Sequence, residues 1–341
     1  MTTAASNTSP VSRLPYRLAG VLVCATFPLI WVGGLVTTTE AGMAVPDWPN
    51  TFGYNLLLYP WTTWLAGPWN IFVEHGHRLL AVVVGLLTIA LLISLYAYDR
   101  RTWLRRLGVV ALAGVVAQGV LGGMRVVFDE RLLAMTHACV GPLFFCFCVA
   151  MRHFTSPQFA AAATCIVPDP EFAVRLLRLS VVTGSLGFVQ LALGALVRHM
   201  PVHAAPGVFR AAVLLHLAMA GALTAHVLWL VAAALRSRAP SLRVPAMVLG
   251  LSIVAQLLLG AGAWIVNYGV PAWLEGVAAL PQWTIRAHSL PQVIVTTAHA
   301  AVGSLILAAT TQLALRAQRL APRTAVAAAG LVVGCLRGAT A

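Results

Sequence analysis

Eight long apolar stretches constrain the fold of this chain more than any other feature. They cover residues 18–37, 73–97, 106–126, 132–152, 174–197, 210–234, 244–267 and 290–316. In helical form, about 20 apolar residues cross the hydrocarbon core of a bilayer. Charged residues make up only 9% of the chain, whereas soluble domains carry roughly 25%. The sequence therefore predicts an all-α integral membrane protein with eight transmembrane helices.

The two ends of the chain are expected to lie outside the eight transmembrane helices. Residues 1–17 are polar and carry Arg13 and Arg17. Because the apolar run that follows is longer than the hydrophobic part of a typical signal peptide, we expect a retained first helix. The apolar stretch 324–336 is too short to span a bilayer. We expect residues 317–341 to form a cytoplasmic or interfacial tail.

The basic residues lie mostly between the apolar stretches and on one side of them. All 22 are arginines, and they give the chain a net charge of +13. Sixteen fall in the gaps on the side of the N-terminus and five in the gaps on the opposite side. This asymmetry follows the positive-inside rule, so it predicts that both termini are cytoplasmic. It also argues against a nucleic-acid-binding surface as the source of the charge.

Short motifs recur in the two halves of the chain. The pattern Gln-x-x-x-Gly occurs three times and the pattern His-x-x-x-Gly twice, at Gln118–Gly122, Gln190–Gly194, Gln256–Gly260, His137–Gly141 and His299–Gly303. Small residues one turn from a histidine leave space for a broad group beside the helix. The repeat predicts two four-helix bundles, residues 18–152 and 174–316, related by a pseudo-two-fold duplication about the membrane normal.

Each even-numbered stretch carries one histidine near its outer end. These are His77, His137, His216 and His299, about five to nine residues below that end. At about 1.5 Å per residue, all four lie in the outer third of the bilayer. Neutral imidazole binds haem iron in apolar surroundings, so two facing helices can provide a bis-histidine site. The pairs would be His77 with His137 and His216 with His299.

Other interpretations of the histidines remain open at this point. A histidine in a membrane helix can hydrogen-bond to a neighbouring helix without binding a metal. Zinc would need three or four converging ligands with cysteine or carboxylate spacing, and copper would need methionine and cysteine beside histidine; neither full set appears on the outer faces, so both metals are less favoured. His226 lies about 15 Å deeper than His216 and has no counterpart. It is interpreted as a core residue or as a residue that contacts a metal ligand without binding the metal itself.

Glu74 is the residue of this set without a counterpart. It precedes His77 by three residues, and the equivalent positions near the other histidines are Ala134, Val213 and Thr296. On a helix, Glu74 and His77 share a face. Glu74 could pair with Arg78 or an outer-loop arginine, or it could be a catalytic carboxylate beside one haem. His75 points away from His77 and is expected to face the loop.

Two further segments complete a family pattern. The run Thr37-Thr38-Thr39-Glu40-Ala41-Gly42 is followed by Val45-Pro46-Asp47-Trp48-Pro49, and Glu74-x-x-His77-Arg78 follows in the second apolar stretch. With one histidine in each even stretch, these motifs resemble the haem A synthase (CtaA/Cox15) family from about residue 33 to residue 303. Many bacterial relatives carry a cysteine pair in the first outer loop, which this sequence lacks.

The resemblance implies an eight-helix oxidoreductase of the bacterial cytoplasmic membrane that oxidises the C8 methyl group of haem O to the formyl group of haem A. It implies His77 and His137 as ligands of the substrate haem, and His216 and His299 as ligands of a haem b that passes electrons. Glu74 would be the catalytic carboxylate, and Arg78 would meet Glu74 or a haem propionate.

The expected partners follow from this resemblance. They are haem O, membrane lipid and a haem O synthase that supplies the substrate, with no nucleic acid; a homo-oligomer is an open alternative to a monomer. Two rival functions remain: a membrane electron carrier with two b-type haems, and a haem-binding transporter or chaperone. Glu74 favours the enzyme, because an electron carrier needs no carboxylate at only one of its two sites.

Overall fold

A computed structural model of the chain describes residues 12–160, 169–237, 239–270 and 284–321. This part of the chain contains eight long helices and two short ones, and no β-strand. In chain order they are α1 (Leu14–Thr38), α2 (Trp61–Leu65), α3 (Trp69–Tyr98), α4 (Thr102–Val127), α5 (Arg131–Thr155), α6 (Pro157–Ala160), α7 (Pro170–Arg198), α8 (Pro206–Arg236), α9 (Pro240–Tyr268) and α10 (Leu290–Leu320).

The eight long helices confirm the eight predicted spans. Each is long and apolar enough to cross a membrane, and its ends lie within four residues of the predicted bounds. Five of the eight begin with proline in their first two positions. Proline is tolerated there because the N–H groups of the first turn have no intrahelical acceptor, so a residue without an N–H loses no hydrogen bond. The tail at 324–336 lies outside the described residues.

The long helices pack in two neighbouring groups. Helix α1 lies against α3 and α5, and α4 lies against the same two helices. In the second group, α7 contacts α8 and α10, and α9 contacts the same two helices. Each group encloses its own apolar cluster, with Leu91 and Leu104 in the first and Leu230 and Leu249 in the second.

The two groups meet through four helices. Helix α10 lies against both α1 and α5, and α5 also touches α7. Phe145 on α5 and Ala308 on α10 form a shared buried cluster at this contact. Apolar side chains elsewhere point away from the protein, as Leu251 does with 73% of its surface exposed. A belt of this kind suits a protein surrounded by lipid, where exposed apolar groups carry no penalty.

The segment between α1 and α3, residues 39–68, lies at one end of the bundle, called here the loop end. It contains a short 3-10 turn, Ala41–Met43, and helix α2. The four paired histidines lie toward the same end, six to ten residues from the first residue of their helices. The long loop and the histidines are therefore close together.

Candidate functional site

The four histidines of the even-numbered spans form two pairs. The ring centres of His77 on α3 and His137 on α5 are 6.4 Å apart, and those of His216 on α8 and His299 on α10 are also 6.4 Å apart. We call these the first pair and the second pair. In both, the ring planes are steeply inclined, by 88° and 78°. The two halves of the chain thus build the same arrangement.

A glycine on the preceding long helix faces each of the four rings. A Cβ atom added to this glycine would lie 2.9 to 3.1 Å from Cε1 of the histidine, for Gly33 with His77, Gly122 with His137, Gly194 with His216 and Gly260 with His299. Contacts this short are not tolerated by a real Cβ atom without movement of the ring. The glycines therefore allow the Cε1 edge of each imidazole to lie close against the neighbouring helix, which restricts the direction of the ring.

Each pair has the spacing expected of two imidazoles that bind one metal ion from opposite sides. A ring nitrogen lies about 1.1 Å from the ring centre and about 2.0 Å from a bound metal, so the two centres would be about 6.2 Å apart. The observed 6.4 Å agrees with this value. The Nδ1 atoms of all four rings are buried and have no side-chain hydrogen-bond partner within the described part of the chain. The pairs therefore fit haem iron.

A metal site made of protein ligands alone is not found at the pairs. Within residues 12–160, 169–237, 239–270 and 284–321, no three His, Cys, Asp or Glu side chains are placed to hold a metal ion. Each pair supplies two ligands on facing helices. This number matches the two axial positions that a porphyrin leaves open on its iron.

Glu74 and Arg78 form a buried ion pair one helical turn apart on α3. Nη2 of Arg78 donates to Oε1 of Glu74 over 2.9 Å, and only 2% of Glu74 and 9% of Arg78 are exposed. The second carboxylate oxygen, Oε2, accepts a hydrogen bond of 2.9 Å from the backbone N–H of Val45. Both oxygens of this carboxylate are thus held in place within one turn of His77.

Arg78 also holds the loop between α1 and α3. Its guanidinium donates to the backbone carbonyls of Val45, Asp47 and Asn50 over 2.7 to 2.8 Å. One buried arginine thereby satisfies three loop carbonyls and one carboxylate oxygen. Of the two roles expected for this arginine, the structure contains the ion pair with Glu74.

The held loop crosses from α3 to α4 above the first pair. The indole of Trp48 lies so close to Gly123 that no Cβ fits there. Gly123 adjoins Gly122, the residue that faces His137. On the other side, Nη2 of Arg125 on α4 donates to the carbonyl of Gly42 over 3.2 Å. The segment from Gly42 to Trp48 therefore lies over the first pair.

Asp47 closes the turn that follows Trp48. Its Oδ1 and Oδ2 atoms accept hydrogen bonds of 2.8 Å from the backbone N–H groups of Phe52 and Gly53. Partial burial by itself raises the pKa of the Asp47 carboxyl. The hydrogen bonds from Gly53 and Phe52 and the positive charge of Arg78 outweigh this effect, so the pKa lies below its usual value of 3.8. Asp47 is thus held as a carboxylate.

His75 faces the loop and not the pairs. Its Nδ1 lies 3.1 Å from Oγ1 of Thr51, and its ring is packed between Tyr59 and Trp64. Along α3, His75 and Arg78 thus hold the loop while His77 faces His137. His226 lies far along α8 beside Trp229, away from the second pair.

Within the described residues, the second pair has no counterpart of the Glu74 carboxylate. The position three residues before His299 is Thr296, whose hydroxyl accepts a hydrogen bond of 3.0 Å from Nδ2 of Asn267. The amide of Gln292 donates to Oδ1 of the same asparagine over 2.9 Å. The groups in this place near the second pair are thus neutral amides and a hydroxyl. Near the first pair, the corresponding groups are the charged side chains of Glu74 and Arg78.

Two features of the site were not found from the sequence. Gly33 faces His77, but no glutamine precedes it by four residues, so the Gln-x-x-x-Gly pattern did not reveal it. The hold of Arg78 on the loop involves backbone carbonyls, which leave no trace in residue identity. The adjacent glycines Gly33 and Gly34 in the first span were the one sequence signal for the contact between Gly33 and His77.

Fold and site together define a multi-pass membrane protein with two buried pairs of histidines on facing helices. A family model described as cytochrome oxidase assembly protein (COX15-CtaA) matches residues 16–206, which is more than half of the chain. The chain belongs to this family. The matched region includes the first pair and the loop above it, and it ends before His216 and His299.

Individual relatives cover a smaller region. Proteins named heme A synthase from Brucella ovis and Brucella abortus are 29% identical over 160 residues, which is 45% of this chain and 44% of theirs. The protein of that name from Brucella anthropi is 29% identical over 149 residues, 41% of either chain. The matches thus span less than half the length of these relatives.

Proposed function

We propose that this chain is a haem A synthase, which oxidises the C8 methyl group of haem O to a formyl group. Membership of the cytochrome oxidase assembly family supports this, as do relatives that carry the name heme A synthase. The observation that carries it is the two histidine pairs with one common spacing; in the part of the chain that the structure describes, only the first has a carboxylate one turn away.

In this proposal the two pairs have different tasks. His77 and His137 bind the iron of the substrate haem, and His216 and His299 bind a resident haem b. A haem b at the second pair would carry electrons away from the substrate site. The glycine that faces each ring keeps the imidazole in one direction, so the ligand atom needs no reorganisation on binding.

Glu74 is the proposed catalytic carboxylate. Oxidation of a methyl carbon releases protons, and a fixed carboxylate can accept one. Two successive oxidations of the same carbon, each of which adds the oxygen of one water and releases two protons and two electrons, give a geminal diol that loses water to become the aldehyde; the haem b would take up the electrons. Arg78 and the N–H of Val45 hold the carboxylate in one position. The loop segment from Gly42 to Trp48 shields the first pair from water above it.

The proposal extends to the architecture and its setting. The two helix groups are proposed to be two four-helix halves related by duplication, since the ring-facing glycines and the paired histidines occupy corresponding helices. The chain is proposed to lie in the bacterial cytoplasmic membrane with both termini in the cytoplasm, because arginines concentrate on that side. A haem O synthase is the proposed supplier of substrate.

The rival functions differ in what the protein binds and makes. A carrier with two b-type haems, or a haem transporter or chaperone, would bind haem without changing it. Haem extracted from the purified protein, after expression with and without a haem O synthase, separates these cases. We expect haem b together with haem O or haem A. Haem b alone in the presence of haem O would refute the synthase proposal.

A pair of variants separates the catalytic role of Glu74 from its hold on the loop. Glu74→Gln keeps an oxygen that can accept from Val45 or Arg78 but removes the carboxylate. Arg78→Met keeps the carboxylate but releases the loop carbonyls. We expect Glu74→Gln to bind haem and produce no haem A. Production of haem A by Glu74→Gln at the wild-type level would remove this residue from catalysis.

The ligands of the resident haem have their own test. His216→Ala and His299→Ala should each remove the spectrum of one bound haem b, whereas the matched variant His226→Ala on α8 should keep it. Loss of haem in His226→Ala alone would show that the second pair is not the site.

A further inference from the structure

Three of the four paired histidines have a glutamine beside them on the neighbouring helix, and the fourth does not. In each of the three, the glutamine lies four residues before the glycine that faces the ring. These are Gln118 before Gly122, Gln190 before Gly194 and Gln256 before Gly260. The corresponding position before Gly33 is Leu29. The residue at this repeat position is therefore a leucine for His77 and a glutamine for the other three histidines.

The glutamine side chains lie against the helices that carry the histidines. Nε2 of Gln190 is 3.3 Å from Nε2 of His216. Nε2 of Gln118 donates to the backbone carbonyl of His137 over 3.3 Å. Nε2 of Gln256 lies 3.6 Å from the position a Cβ would take at Gly303, one turn beyond His299. Gln190 thus contacts the ring of its histidine, whereas the amides of Gln118 and Gln256 lie against the backbone of the helix that carries the histidine.

Each of the three sites has a buried acceptor and a buried ring nitrogen. The Oε1 atoms of the glutamines and the Nδ1 atoms of the rings lack a side-chain hydrogen-bond partner among the residues that the structure describes. An imidazole that binds metal through one nitrogen carries a proton on the other, and an amide oxygen accepts such a proton. A partner of this kind holds the ring and raises its basicity, and its removal costs about 10–100-fold in metal affinity.

Leu29 and Gln190 occupy equivalent places in the two halves. Each lies four residues before the glycine that faces the first histidine of its half, His77 or His216. Both side chains are half-buried, and Leu29 packs beside an apolar cluster of the first half. The second pair thus has a glutamine at this repeat position for both histidines, and the first pair has one only for His137.

We propose that Leu29 makes the first pair a site that exchanges its haem, and that Gln190 makes the second pair a site that retains it. This inference rests on the proposed function, in which a substrate haem must enter and its product must leave the first pair. His77, with a leucine in place of a glutamine at this repeat position, is the weaker ligand. Leu29 and Gln190 act through the histidines and are positioning residues.

The test measures haem release, not synthesis. The wild-type protein is loaded with protohaem in detergent and mixed with excess apomyoglobin, and haem transfer is followed by absorbance. We expect a fast phase from the first pair and a slow phase from the second. The variant His299→Ala, which disables the second pair, should keep only the fast phase. This result would assign the fast phase to the first pair.

Substitutions at the two equivalent positions then exchange the behaviour of the pairs. Leu29→Gln should slow the fast phase at least tenfold, and Gln190→Leu should speed the slow phase by a similar factor. The matched control Leu29→Met, which stays apolar and similar in size, should leave both phases within about twofold of wild type.

The outcomes separate this inference from the proposed function. A wild type that binds two haems and releases both at one rate would overturn the inference alone. So would a Leu29→Gln variant that binds two haems and releases them as wild type does. A wild type that binds no haem at either pair would overturn the proposed function itself.

Discussion

The replacement of Arg78 by methionine tests the buried contact that holds the loop over the first pair. The guanidinium donates to three loop carbonyls and to Glu74, and the ion pair is almost fully buried. Methionine keeps much of the side-chain length and removes all these donors. Glu74 would then be a buried charge whose remaining partner is the N–H of Val45.

The cost of this change can be estimated from the buried pair. Removal of one member of a buried, hydrogen-bonded ion pair costs roughly 3–5 kcal/mol, because the other charge stays buried without its partner. The loop carbonyls can turn to water once the segment lifts, so their loss adds less than their number suggests. Since about 1.4 kcal/mol corresponds to a factor of ten, loop opening should become about 100- to 3,000-fold more populated.

Amide hydrogen exchange at Val45 measures this opening directly. Its N–H donates to Oε2 of Glu74 in the closed loop, so it exchanges with solvent only when the loop lifts. We expect its protection in Arg78→Met to fall by that factor while helix interiors stay protected. The matched control is Arg210→Met, at an exposed arginine of α8. Unchanged protection of Val45 in Arg78→Met would refute the view that this arginine holds the loop.

Two other substitutions test single contacts of the first pair and its loop. Gly122→Ala should push the ring of His137 aside, because the new Cβ would lie 3.1 Å from Cε1, and should lower haem affinity at the first pair about tenfold or more. Gly119→Ala, on the same helix with open space around it, should bind haem normally in the same spectral titration; equal effects would contradict the role of ring contact. The pKa of Asp47 is lowered in the folded loop, so its contribution to stability is present above the usual value of 3.8 and is lost as pH falls through the lowered pKa. Tryptophan fluorescence should report loosening around Trp48 only below about pH 4, and Asp47→Asn should show no such acid transition; a transition of the same size in that variant would assign it elsewhere.

The sequence by itself determined the number and limits of the membrane helices and the depth of the histidines. These properties depend on local composition, since each span must satisfy its backbone polar groups internally and expose apolar side chains to lipid. Residue spacing then converts directly into height along a helix at about 1.5 Å per residue. The repeated glutamine and histidine motifs also followed from the sequence, because they recur at fixed spacing in corresponding spans.

Only the tertiary structure decided what those residues touch. That Gly33 faces His77, and that Leu29 stands where a glutamine stands elsewhere, depends on the rotation of α1 against α3. Helix rotation is set by packing between side chains of distant segments, which no local pattern records. The hold of Arg78 on the loop is similar, because its acceptors are main-chain carbonyls about 30 residues away. Composition located the site in the membrane, and packing determined which ring has which neighbour.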